Sequence, residues 1–97
     1  MSNNDKTIDE NELRGELVEA LLDYLEGRRT FRSVLILGIN AHNFYQPFQN
    51  EHVAKTVSEL NSFGSQVADG KNFSKEEIKE TFTTLLEHLV SKDKIGI

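Results

Sequence analysis

The 97-residue sequence predicts an all-α domain, a small bundle of four helices. Three observations predict it. Apolar residues recur every three or four positions along most of the chain, the spacing of one helical face. Two stretches, Ile8-Asp9-Glu10-Asn11-Glu12-Leu13 and Phe73-Ser74-Lys75-Glu76-Glu77-Ile78, carry the signature of a capped helix start. Gly27, Gly64 and the pair Asp69-Gly70 fall where successive apolar stripes run out.

The first helix is expected over 9–26, after a polar tail at 1–7. Asp9 supplies the cap, Glu12 is placed to reach back from the third helical position, and Ile8 is placed to staple onto Leu13. Leu13, Leu17, Leu21, Tyr24 and Leu25 make the stripe, widened by Val18 and Leu22. Glu12, Glu16, Glu19, Asp23 and Glu26 take the remaining faces. Gly27 is suited to the left-handed residue that ends a helix, and Arg28 and Arg29 to the negative end of its dipole. Gly15 costs about 1 kcal/mol relative to alanine inside a helix, which points to a close helix contact there.

The segment 31–39 admits two readings. It is short, apolar and rich in Val and Ile, so a strand there would make the domain α+β. Yet Phe31, Val34, Leu35, Gly38, Ile39 and His42 fall on one helical face, Thr30 is a usable cap, and a lone strand has no partner except the scrap Ile95-Gly96-Ile97. Helix is the expectation, ending near Ala41–Asn43. Pro47 suits the first turn of a third helix, whose stripe Phe48, His52, Val53, Val57, Leu60 and Phe63 is expected to stop at Gly64. Residues 65–73 then read as a loop. Ser74 and Glu77 form a capping box for the last helix, with Ile78, Phe82, Leu85, Leu86 and Leu89 as its stripe. The stripe fades at Ser91-Lys92. Residues 8–92 thus form one helical domain, followed by a tail at 93–97.

Size and composition narrow the function classes. A folded body of this mass exposes roughly 5,600 Å² against about 16,000 Å² for the open chain, so one core is affordable without staples. There is no cysteine, which removes disulfides, thiolate metal sites and thiol nucleophiles, and fits a cytoplasmic protein. The polar start MSNNDKTIDEN has no apolar core of a secretory signal, and the longest apolar run, Val34–Leu37, is far short of a membrane span. The net charge of −5 is concentrated in residues 1–27, where eight acids face only Lys6 and Arg14. That distribution is unlike a nucleic-acid footprint.

No spacing in the chain specifies chemistry. His42, His52 and His88 have no second histidine or acid three or four residues before them, the spacing a helical metal site uses. The stretch Ala68-Asp69-Gly70-Lys71-Asn72-Phe73 echoes a calcium loop, but Gln66, Ala68 and Gly70 fall where its ligands belong. Nucleophile elbows, phosphate loops and zinc-protease motifs are absent. No catalytic residue, metal or cofactor is assigned.

What remains is an interaction protein. The acids Glu12, Glu16, Glu19, Asp23 and Glu26 suit a basic protein partner, and Phe44, Tyr45 and Phe48 around Pro47 form either a core plug or an exposed anchor that would also suit a homodimer. Two alternatives stand beside this expectation. One is a nucleic-acid-binding regulator using Arg28, Arg29 and Arg32; the other is a metal- or ligand-binding bundle using the three histidines.

Overall fold

Each helix begins where a side chain takes up amides that have no carbonyl partner within the helix. The computed structural model describes residues 9–90, which form α1 (Glu10–Leu25), α2 (Phe31–Tyr45), α3 (Glu51–Ala68) and α4 (Lys75–Val90). The Asp9 carboxylate accepts from the Asn11 amide, Thr30 Oγ1 from Ser33, and Asn50 Oδ1 from both His52 and Val53. Ser74 and Glu77 close the expected box in both directions, each bond 3.1 Å. Glu12 is exposed and makes no such return bond to Asp9 among the described residues. The Ile8 staple, the fading stripe at Ser91-Lys92 and both tails lie outside the described residues.

The helix stops follow equally local rules. Gly27 (φ 84°) and Gly70 (φ 95°) occupy the left-handed region that side chains rarely enter. At each, two amides fold back onto the last free carbonyls: Gly27 to Tyr24 and Arg28 to Asp23, then Gly70 to Val67 and Lys71 to Gln66. Both are Schellman closures.

Segment 31–39 is entirely helical, as its spacing predicts, and no strand occurs among the described residues. Other expectations need correction, beginning with where that segment ends and the next helix starts. Its helix continues to Tyr45, and Pro47 does not start the next one. Instead Gln46 is extended, the Gln46–Pro47 peptide is cis, and α3 begins after Asn50, which supplies the two cap bonds a proline cannot. Gly64 does not end α3, which runs four residues further. The reason is packing: a Cβ at Gly64 would meet Ile39 Cδ1 at 2.6 Å, so the missing side chain seats Ile39 across the helix. Gly38 plays the same part from α2, where a Cβ would overlap Leu60 Cβ. The close contact expected at Gly15 is absent, since nothing lies within 4 Å of a Cβ there.

Successive helices run in alternating directions. At one end of the bundle the close of α1, the start of α2 and the facing parts of α3 and α4 bring five rings together. Tyr24 meets Phe82 at 5.2 Å, Phe31 meets Phe63 at 5.7 Å, and Phe63 meets Phe73 at 4.7 Å, all near edge-to-face. The middle of the core is aliphatic, with Leu13, Leu17, Leu21, Val34, Val57, Leu60, Leu85 and Leu89 buried. Among the described residues Thr56 is the single buried polar side chain, and its hydroxyl has no hydrogen-bond partner there.

The opposite end is held by polar contacts. Glu10, in the first turn of α1, accepts from the Gln49 amide at 2.8 Å and the Asn50 amide at 2.9 Å. One carboxylate thereby ties the α2–α3 connection to α1 and fixes where α3 starts.

Candidate interaction surface

The five α1 acids fall at i, i+4, i+7, i+11 and i+14. At 100° per residue they lie within about 80° of the helix circumference, so they form one stripe. Glu12, Glu16, Glu19 and Glu26 are exposed and Asp23 is half-buried. Arg28 folds back over the C-terminal end of this stripe, 2.7 Å from Asp23 and in contact with Glu26. Hydrogen bonds to Asp23 first, and then to Glu26, push the guanidinium above its ordinary pKa. The unmatched negative charge is therefore at Glu12, Glu16 and Glu19, which have no cationic partner among the described residues.

The three arginines have three different surroundings. Arg28 is matched locally, Arg29 is half-buried with its guanidinium 3.2 Å from Ser33 Oγ, and Arg32 is exposed beside an apolar groove.

The aromatic corner divides. Phe48 is half-buried and packs against the core, as a plug should. Phe44 is 70% exposed and Tyr45 39%, so these two rings face solvent from the last turn of α2. Gln46 closes that turn by donating to the His42 carbonyl at 2.9 Å.

Packing brings two of the three histidines together. His52 in the first turn of α3 and His88 in the last turn of α4 have ring centres 5.7 Å apart, while His42 sits on α2 beside Gln46. Among the described residues, no group of three or more His, Asp or Glu side chains is close enough to hold a metal ion together.

One feature was missed entirely by sequence reasoning: a groove of about 380 Å³ between the first half of α2 and the end of α3. Phe31, Leu35, Ile36 and Ile39 line one wall, Gly64, Val67 and Ala68 the other, and Arg32 stands at the rim. Ile36 is 50% exposed there. Its signal was present in the chain. In its 15 residues α2 holds no acid and, histidine aside, a single charged residue, Arg32, whereas 28% of the whole chain is charged. A second depression, of about 410 Å³ between α3 and α4, is bordered by Lys55, Glu59, Glu80 and Thr84 and has the mixed charge of a solvated surface.

Comparison with protein-family models, curated proteins and solved structures gives no match. The surface chemistry therefore carries the functional argument. No helix among the described residues is long and apolar enough to cross a membrane.

Proposed function

We propose that this chain is a small, non-enzymatic, cytoplasmic regulatory protein that binds another protein. The observation that carries the reading is that Ile36 and Phe44 stand exposed on the outer side of α2, and Tyr45 at its last turn, on a helix without a single acid. Interface centres are depleted of charge and enriched in aromatic side chains and arginine. Burying Phe44 alone contributes about 2 kcal/mol, some thirtyfold in affinity. The unmatched acids Glu12, Glu16 and Glu19 add long-range attraction for a basic partner and set the direction of approach. The action is occlusion or recruitment, and a second copy of the chain is one form the partner can take.

Site-specific photo-crosslinking tests this. A photoreactive phenylalanine analogue at Ile36 or Phe44 is expected to capture a discrete partner in cells, with weaker capture as salt is raised. The same analogue at Lys79, on the exposed side of α4, is expected to capture nothing discrete. Equal labelling at all three positions would remove the basis for the reading.

A further inference from the structure

We propose that His52 and His88 form a two-imidazole site for a divalent ion that prefers nitrogen ligands, namely Cu(II), Ni(II) or Zn(II). The site lies at the end of the bundle where α3 starts and α4 finishes, and it is independent of the protein-binding reading.

The geometry fits one ion between the two rings. With metal–nitrogen bonds of about 2.0–2.1 Å, an ion lies about 3.2 Å from each ring centre, so the two centres stand about 5.2 Å apart on a tetrahedral ion, and about 4.5 Å or 6.4 Å apart on adjacent or opposite positions of a square-planar one. The observed separation of 5.7 Å, with the rings inclined at 37°, lies between these limits. Coordination then needs the ring centres to shift by about half an ångström toward the tetrahedral separation, or by about 0.7 Å toward the opposite square-planar one, together with ring rotation.

Both ligands stand on anchored backbone. The His52 amide donates to Asn50 Oδ1 at 2.9 Å, and the residues just before it are held by Glu10. His88 is followed directly by Leu89, which is buried in the core. The C-terminal carbonyls of α4 beside His88 carry partial negative charge and the N-terminus of α3 beside His52 partial positive charge, so the two helix ends offset each other; Glu51 and Glu87 precede the two ligands in sequence. Lys55 is the one lysine or arginine within a turn of either histidine among the described residues.

Two protein ligands leave the remaining coordination positions to water, so the bound ion is exchangeable and accessible. It also clamps the start of α3 to the end of α4, and binding that favours the folded state raises Tm with metal concentration.

Isothermal titration of the untagged full chain with copper(II), nickel(II) and zinc(II) chlorides, with electron paramagnetic resonance of the copper complex, tests the site. One ion per chain is expected, with a copper spectrum showing two nitrogen ligands. His52→Ala and His88→Ala are each expected to weaken binding at least tenfold, and His42→Ala to leave it unchanged. Circular dichroism establishes that the variants are folded, and His52→Gln and His88→Gln replace any alanine variant that is not. No saturable binding by the wild type would overturn the proposal. So would wild-type affinity in folded variants at His52 and His88, or an equal loss in His42→Ala.

Discussion

Adding one methyl group at Gly38 sets two effects of opposite sign against each other. Alanine is preferred over glycine inside a helix by about 1 kcal/mol, so the substitution stabilises α2 taken alone. In the folded protein the new Cβ overlaps Leu60 Cβ and lies 2.9 Å from Leu60 Cδ1 and 3.1 Å from Cγ. The outer atoms of Leu60 can turn away, but its Cβ is fixed to the α3 backbone, and the residue is fully buried. Relief therefore requires α2 and α3, the most extensively packed pair, to move apart. Overpacking of this kind costs about 1–3 kcal/mol, which offsets or outweighs the propensity gain and leaves a net loss of up to about 2 kcal/mol. In a domain of this size that is a fall in Tm of up to roughly 16 °C. Two other glycines supply the scale. Gly15→Ala meets nothing within 4 Å, so it is expected to gain close to the full propensity term and raise Tm by roughly 4–8 °C. Gly64→Ala meets only the flexible end of Ile39 and is expected to lie between the two. Thermal and urea unfolding followed by circular dichroism measures all three. If Gly38→Ala stabilises as much as Gly15→Ala, the close α2–α3 contact does not exist.

Three further substitutions test other parts of the fold. Thr56→Val removes a buried hydroxyl that has no partner and is expected to stabilise by about 1 kcal/mol in urea unfolding; a loss of stability means that the hydroxyl is bonded. Glu10→Gln weakens the bonds to the Gln49 and Asn50 amides, with an expected cost of about 1 kcal/mol for this partly exposed pair, and both amides should exchange hydrogen faster by NMR. Unchanged exchange at those two positions would show that the tie to α1 is not made in solution. Ser74→Ala opens the capping box of α4 and is expected to cost about 1 kcal/mol, with the change in exchange protection confined to the first turn of that helix.

The parts of the fold that were legible in the chain are those set by neighbours in sequence. Ser74 and Glu77 announce α4 because both partners of the box lie within four residues. Gly27 announces the end of α1 because a left-handed residue is a local requirement. Pro47 and Gly64 misled because their local preferences were overridden from a distance. Asn50 supplies α3 with cap bonds, and Glu10, forty residues away, holds the segment in which that cap sits. Gly64 sits inside a helix because Ile39 of another helix lies over it. The pairing of His52 with His88 illegibly joins positions 36 apart in sequence, and only the antiparallel run of α3 and α4 brings them together. The acidic stripe, by contrast, needed only helical periodicity, and the split of the aromatic corner needed the true end of α2 at Tyr45.

The core-facing side of α2 is complete without its outer side. Val34, Leu35, Gly38 and Ala41 are buried against the rest of the bundle, while Ile36 and Phe44 are turned to solvent. An exposed isoleucine and an exposed phenylalanine contribute little to folding, because burial on folding is the source of hydrophobic stabilisation. Ile36→Gln and Phe44→Ala are therefore expected to change unfolding free energy by no more than about 0.5 kcal/mol. Under the proposed function the same two substitutions remove the apolar anchor, and partner capture by a crosslinker placed at Tyr45 should fall at least tenfold. A residue held only for folding shows the reverse pattern, a large loss of stability with capture altered only in proportion to unfolding. If Ile36→Gln and Phe44→Ala are neutral in both measurements, the apolar side of α2 is an ordinary exposed surface and partner binding must be sought on the acidic stripe of α1.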